Sequence, residues 1–158
     1  MRKAKLRPYL VAVPLAGLVV AIDLVTKRVA AASFVGSPRV VIPGVLTFTY
    51  GENRGAAFSM FQEGGPLLAV AAIVAIGVIL WALRAPRPGL EVAGLGLIMG
   101  GAAGNLIDRL ARGEGLVDGL VIDWIQFPNF PIFNIADSSL TVGVGMMLLA
   151  TWRAWPTA

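Results

Sequence analysis

Two aspartates fourteen positions apart, Asp123 and Asp137, carry the strongest chemical signal in this sequence. Both stand among apolar residues, where an ionisable side chain costs about 2.5–3.5 kcal/mol on membrane-insertion scales and is therefore expected to be functional. The chain contains no His and no Cys. Triads that need histidine, thiol nucleophiles and most zinc sites are thereby excluded. Two carboxylates that share one proton can activate water for amide hydrolysis without a metal ion or another cofactor.

Structural roles for the same carboxylates are the main alternative at this point. Each aspartate could form an ion pair with Arg109 or Arg112, and Asp137 could cap a helix that begins near it. A catalytic pair would titrate as a unit, so neither Asp123 nor Asp137 is singled out as the base.

Further polar residues could complete a site near the two aspartates. They are Asp23, Lys27, Asn53, Gly55, Asn105, Asp108, Arg109 and Asn134. Asn105 and Arg109 are four apart and face the same direction on a helix, and Asp108 could pair with Arg112 in the same way. For Asp23 and Lys27 an intrahelical ion pair is favoured over a catalytic role.

The composition is that of an integral membrane protein. Of the 158 residues, 57% are hydrophobic and 14% are charged, whereas soluble domains carry about 25% charged residues. No basic run is interleaved with aromatic residues, so nucleic-acid binding is not expected. The net charge of +4 is interpreted as a determinant of membrane orientation.

Four apolar stretches predict transmembrane helices within a single membrane domain that covers residues 1–158, since about 20 residues cross a bilayer. Their predicted ranges are 9–32, 66–83, 92–110 and 134–155. Gly96, Gly100 and Gly104 recur every four residues in the third, which favours close approach of a neighbouring helix. A cleaved signal peptide ending near residue 32 is the alternative for the first stretch. A retained helix is simpler, because the apolar stretch continues past Asp23.

The basic residues predict which side of the membrane each connection faces. Lys and Arg are enriched before the first span, between the second and third, and after the fourth, which places both termini in the cytoplasm. The connections at about 33–65 and 111–133 then face outward. The first of these predicts an outer β segment at about 36–60, with strands at 39–42 and 46–50 around a Pro43-Gly44 turn.

Five blocks of sequence, in order, resemble the bacterial lipoprotein signal peptidases (signal peptidase II), a family of membrane aspartic proteases. They are Asp23 with Lys27, Glu52–Phe58, Gly101–Arg109, Gly119–Ile125 and Phe133–Ser138. The resemblance covers nearly the whole chain. It implies four transmembrane helices with a small extracytoplasmic β-sheet cradle. It also implies Asp123 and Asp137 as the catalytic pair, and Asp23, Asn53, Asn105, Arg109 and Asn134 as polar residues that line the site.

The activity implied by the resemblance is removal of the signal peptide from diacylglyceryl-modified prolipoproteins, by cleavage just before the lipidated cysteine. The expected setting is the bacterial cytoplasmic (inner) membrane, with the active site near its outer surface. The expected partners are those prolipoproteins and membrane lipid. We expect a monomer that needs no cofactor. A clamp over the pair, formed by the outer strands and the segment from Gly55 to Phe58, is a further hypothesis.

The sequence departs from the family pattern in two respects, and three other functions are alternatives. Trp124 stands where the family usually has Phe. The connection between the two aspartates is shorter than in many members, and the segment 113–118 adds length before it. Asp118, in that segment, lies in a competing Gly-Leu-Val-Asp context, although the longer match favours Asp123. A proton-coupled carrier would also keep acids in its spans, but more often near the bilayer midplane. The others are a Ser/Lys peptidase that uses Lys27 with Ser33 or Ser59, and a carboxylate metal site.

Overall fold

The computed structural model describes residues 7–55, 64–113, 115 and 117–155, and it is mainly α-helical. The helices are α1 (Tyr9–Ser33), α2 (Gly65–Ala82), α3 (Gly89–Ala111) and α4 (Ile135–Ala154). The strands are β1 (Arg39–Ile42), β2 (Leu46–Asn53) and β3 (Val121–Gln126). Each helix is long and apolar enough to cross a membrane. The predicted fold class, four such helices with a small sheet, is confirmed.

The helix ends differ from the predicted ranges by at most one residue, except at the start of α3. That helix begins at Gly89 rather than Val92, because Pro88 adopts a non-helical conformation immediately before it. Arg87 pairs with Glu91 at 2.9 Å across the first turn. The ion pair and the proline define this turn as the start of the helix.

Glycines place α3 between α1 and α4. A Cβ atom on Gly100 would lie 2.7 Å from the Cβ of Val19 in α1, and one on Gly96 would lie 3.0 Å from the backbone oxygen of Ala12. The opposite face of α3 meets α4, where Gly94 and Gly143 approach each other through their backbones. The close approach predicted from the glycine spacing is therefore confirmed, and α1 is the helix that uses it.

Apolar side chains hold α2 against this three-helix unit. Ile79 and Leu83 pack with Val92, Leu95 and Met99 of α3 in the buried cluster. Most of the rest of α2 is exposed, as in a helix that faces lipid.

The three strands form one antiparallel sheet in the order β1-β2-β3. The two strands of the first connection and the turn between them match the prediction, although β2 continues to Asn53. The third strand was not predicted, because residues 121–126 were interpreted only as part of a connection. The β-branched and aromatic residues in Val-Ile-Asp-Trp-Ile were the available signal for it. Pairing with β2 brings Gly51 opposite Asp123, with a bulge between Phe48 and Gly51.

Candidate active site

Asp123 lies in the middle of β3 and is buried, with only 4% of its surface exposed. Its Oδ2 accepts a hydrogen bond from Asn53 Nδ2 at 3.1 Å. Asn53 lies two residues beyond Gly51 on the neighbouring strand and is therefore on the same face of the sheet as Asp123. Because Gly51 carries no side chain, nothing at the directly opposed position separates the amide from the carboxylate. Asn53 in turn accepts the backbone N–H of Gly55 at 2.9 Å.

Asp137 lies in the first turn of α4 and belongs to a capping box. Asn134 is the N-cap residue, and its Oδ1 accepts the backbone N–H of Asp137 at 2.9 Å. The Asp137 carboxylate accepts the backbone N–H of Asn134 at 3.2 Å. The capping role considered for Asp137 is therefore present. The same contacts place its carboxylate at a helix N-terminus, where a negative charge is favoured.

Asn134 joins the two aspartates. This residue is completely buried, and its Nδ2 donates to Asp123 Oδ1 at 2.6 Å. Its side-chain oxygen meanwhile holds the first turn of α4, so one amide links β3 to the helix that carries Asp137. A second amide, that of Asn105 on α3, donates to Asp137 Oδ1 at 2.8 Å. The two carboxylates are thus held by neutral asparagine side chains and a backbone N–H.

Burial shifts the titration of Asp123. Loss of water contact and, to a smaller extent, the nearby charge of Asp137 raise the pKa of Asp123 to about 7. The hydrogen bonds from Asn53 and Asn134 act in the opposite direction. Two neighbouring carboxylates of which one is protonated near neutral pH form the arrangement that acid–base catalysis on water requires.

A cavity of about 740 Å³ opens over the two aspartates. Its polar end contains both carboxylates together with Asn53, Asn105 and Arg109. The rest of its wall is largely apolar and comes from the 127–133 loop and α4, through Phe127, Pro128, Phe130, Pro131, Ile132, Phe133, Leu140 and Val142. Sequence reasoning missed this apolar wall. The run Phe127-Pro-Asn-Phe-Pro131, with its aromatic residues beside prolines, was the signal that a structured loop follows β3.

Arg109 and Gly55 are brought together at the edge of the cavity. Arg109 Nη2 donates to the backbone oxygen of Gly55 at 3.1 Å, and Nη1 donates to the backbone oxygen of Asn105 at 3.3 Å. The same-face placement of Asn105 and Arg109 inferred from their spacing agrees with the cavity lining. Arg109 therefore anchors the end of β2 to α3 through backbone carbonyls.

The other predicted polar residues form a separate buried ion cluster. Lys27 Nζ lies 2.7 Å from Asp23 Oδ2 and 2.8 Å from Asp108 Oδ2. Arg112 Nε lies 2.7 Å from Asp108 Oδ1. The expected pairs of Asp23 with Lys27 and of Asp108 with Arg112 are both present. Asp23, Lys27 and Asp108 are not among the residues that line the cavity, and Asp23 instead accepts the backbone N–H of Ala136 in α4 at 2.9 Å.

The competing aspartate lies in a different environment. The Asp118 carboxylate accepts the backbone N–H of Gly115 at 3.0 Å within its own loop. It does not line the cavity that holds Asp123 and Asp137. The geometry therefore favours Asp123 over Asp118 as the partner of Asp137.

Two hypotheses from the sequence depend on residues for which the structure gives no description. Ala56, Ala57 and Phe58 of the clamp lie outside the described residues, and so does Ser59 of the Ser/Lys alternative. Lys27, the base that the latter would need, forms ion pairs with two carboxylates, those of Asp23 and Asp108.

Helices that can span a membrane, combined with a two-carboxylate cavity at one end of the helix bundle, define the class of polytopic membrane peptidases. The family model described as "Signal peptidase (SPase) II" matches residues 15–153. The chain belongs to the signal peptidase II family, and it is accordingly a multi-pass membrane protein and a peptidase.

Relatives and solved structures agree with this assignment. The lipoprotein signal peptidase of Thermosynechococcus vestitus is 42% identical over 146 residues, covering 89% of this chain and 88% of that protein. The lipoprotein signal peptidase of Symbiobacterium thermophilum is 43% identical over 144 residues, covering 89% and 93%. A solved bacterial membrane enzyme superposes with a TM-score of 0.80 at 31% identity, covering 90% of this chain and 87% of that one.

Proposed function

We propose that this chain removes the signal peptide from diacylglyceryl-modified prolipoproteins, cleaving before the lipidated cysteine by activation of water between Asp123 and Asp137. One observation carries the proposal. The two carboxylates line one cavity and accept hydrogen bonds only from amide groups among the described residues. Carboxylates without a cationic partner remain free to exchange a proton with water and substrate.

In the proposed mechanism the pair holds one proton near neutral pH, in line with the raised pKa of Asp123. The ionised carboxylate takes a proton from the water molecule as its oxygen attacks the scissile carbonyl carbon. The protonated carboxyl group donates a hydrogen bond to the carbonyl oxygen. When the tetrahedral adduct collapses, the C–N bond breaks and the leaving nitrogen takes a proton from the pair. The pair returns to its initial state of one proton.

The cavity suits a lipidated substrate. Its apolar wall adjoins the polar end that carries the aspartates. Burial of each methylene of an acyl chain contributes about 0.8 kcal/mol. Acyl contacts of this kind would hold a substrate whose peptide contributes little binding energy of its own.

The proposed setting is the inner membrane, with a monomeric single-domain chain, both termini in the cytoplasm and the cavity toward the outer surface. Arg84 and Arg153 support this orientation, since they lie at the ends of α2 and α4, where the exposed Trp81, Trp152 and Trp155 are typical of a membrane interface. Because the chain has no cysteine, single cysteines at Val45 and Arg84 can test it. Labelling of intact cells by a membrane-impermeant thiol reagent should reach only Val45→Cys, and labelling of only Arg84→Cys would reverse the topology.

The carrier alternative is not favoured by the geometry. Asp123 lies on a strand outside the helices, and Asp137 lies in the first turn of α4. Neither carboxylate is near the middle of a spanning helix, where carriers usually bind their coupling ions.

Cleavage of a diacylglyceryl-modified prolipoprotein by the purified protein in detergent, with a chelator present, tests the proposal. Asp123→Asn and Asp137→Asn should each lower kcat at least about 10³-fold, because each removes a group that exchanges a proton. Asp118→Asn is the matched control and should retain activity. Activity in either dyad variant would reject the dyad, and no cleavage by a folded wild-type protein would reject the substrate class.

A further inference from the structure

Lys27 contacts Asn105 in addition to the carboxylates whose charge it neutralises. Its ammonium nitrogen is completely buried and lies within 2.9 Å of three oxygens, those of Asp23, Asp108 and Asn105. The contact with Asn105 Oδ1 is a hydrogen bond, and the contacts with Asp23 and Asp108 are ion pairs. Lys27 and Arg112 already balance the two carboxylates of the ion cluster. The contact with Asn105 is the one that leads out of the cluster, toward the proposed active site.

Asn105 lies between this lysine and the catalytic pair. Its Oδ1 accepts from Lys27 Nζ at 2.9 Å and from Asn134 Nδ2 at 3.2 Å, while its Nδ2 donates to Asp137 Oδ1 at 2.8 Å. The two ends of an amide have nearly the same shape, so their partners decide which end points where. An ammonium group has only donors. It therefore stabilises one of the two orientations, the one in which the NH₂ group faces Asp137.

The other orientation would be unfavourable at both ends. The NH₂ group would face the ammonium of Lys27, and the amide oxygen would face the Asp137 carboxylate. Loss of Lys27 would remove the first of these penalties. Asn134 Nδ2 would then remain as the donor to the side-chain oxygen of Asn105. Asn105 could then rotate or pair elsewhere, and Asp137 would lose a donor some of the time.

The geometry assigns Lys27 as a positioning residue of the proposed dyad, acting through Asn105 to keep an amide N–H on Asp137. The assignment rests on the proposed function, since it concerns the same reaction. It differs from a purely structural role in one respect. The lysine should matter for the chemical step only while Asn105 is present.

A double-mutant cycle between Lys27 and Asn105 tests this dependence. Lys27→Met and Asn105→Ala are made singly and together, in the wild-type background and in an Asp23→Asn background. The second background keeps the buried charges balanced when the lysine is lost, because Asp108 and Arg112 then remain as an ion pair. Arg112→Gln is the matched control, since it removes a cation from the same cluster without touching Asn105.

Lys27→Met should lower kcat about 10- to 100-fold, the range typical of residues that orient a reacting group. KM should stay within about twofold, because the lysine does not line the cavity. In proteins that already carry Asn105→Ala, the same change should cost less than about threefold in kcat, since the group it orients is gone. Arg112→Gln should leave both constants near their wild-type values.

Three outcomes would overturn the assignment. They are an unchanged kcat in a folded Lys27 variant, an equal loss of kcat with and without Asn105, and failure of every Lys27 variant to fold, which would make the role structural. Failure of the proposed function is recognised separately. In that case the wild-type protein does not cleave the prolipoprotein, or Asp123→Asn retains full activity.

Discussion

Two pairs of aspartates, all buried except the half-buried Asp137, lie at the same end of this molecule and have opposite partners. Asp23 and Asp108 contact cations, with Lys27 between them and Arg112 at the edge. Asp123 and Asp137 contact amides, from Asn53, Asn105 and Asn134. In the described part of the chain, no lysine or arginine nitrogen lies within 4 Å of either member of the second pair.

The difference shows how one residue type serves two purposes. A carboxylate in contact with a buried cation has its charge compensated, and such an ion pair can join two helices. A carboxylate that receives only amide N–H groups is oriented without having its charge cancelled, and burial can then raise its affinity for a proton. Contact with lysine or arginine, rather than burial, therefore distinguishes the Asp23 and Asp108 pair, which joins helices, from the pair that is proposed to react.

The same substitution in each pair should affect stability very differently. Asp23→Asn leaves buried Lys27 with a weaker partner and should destabilise the fold by about 3 kcal/mol, as expected when a buried ion pair is broken. Asp123→Asn removes a charge that repels Asp137 but also removes an acceptor of one of the hydrogen bonds from Asn53 and Asn134, so it should change stability by less than Asp23→Asn does. Thermal unfolding in detergent at neutral pH compares them. Equal destabilisation by both variants would show that the pairs do not differ in this way.

Stability should decline as the pH rises from 3.8 to about 7 and then level off, whereas activity should decline above about 7. The pKa of Asp123 is raised from 3.8 to about 7, so its contribution to stability is fully present below the ordinary value and is lost as the pH rises through the folded value. The slope should reach at most about 1.4 kcal/mol per pH unit. Asp123→Asn should remove this slope from pH-dependent unfolding.

The pH dependence of kcat is an independent measure of the pKa of the same carboxyl group. In the wild-type protein kcat should fall about tenfold per pH unit once the proton shared by the pair is lost. A stability curve that is the same with and without Asp123 would contradict the raised pKa, as would a kcat that stays level up to pH 9.

A smaller effect is expected when one amide is removed from the reactive pair. Asn53→Ala deletes the donor to Asp123 Oδ2 and should lower kcat about tenfold, which corresponds to about 1.5 kcal/mol for a hydrogen bond to a charged group. That bond lowers the pKa of Asp123, so the variant should lose activity at a higher pH than the wild type.

The neighbouring residue provides the control for this change. Glu52 accepts the hydroxyl of Tyr50 at 2.7 Å and is exposed, so Glu52→Gln should leave kcat and its pH dependence unchanged. If the pH at which kcat declines shifts equally in Asn53→Ala and Glu52→Gln, then Asn53 acts by stabilising β2 rather than by donating a hydrogen bond from its side-chain amide.

Much of the candidate site could be predicted from the sequence, because its elements are local. The intrahelical pairs Asp23 with Lys27 and Asp108 with Arg112 follow from a spacing of four residues, and the cap at Asp137 follows from Asn134 three residues earlier. The strand that carries Asp123 was missed, since pairing with β2 rather than its own periodicity stabilises it. The apolar wall of the cavity was missed because the 127–133 loop has no periodic pattern.

The sequence by itself determined the membrane class of the protein, the approximate ends of its helices and the two aspartates that stand out. Apolar length and the cost of an ionisable group among apolar residues are properties of short segments. Only the tertiary structure decided which carboxylates meet cations and which meet amides. Lys27 reaches Asn105 across 78 residues of sequence, and Asp23 reaches Ala136 across 113. Contacts at such separations depend on how α1, α3 and α4 pack, which no local pattern specifies.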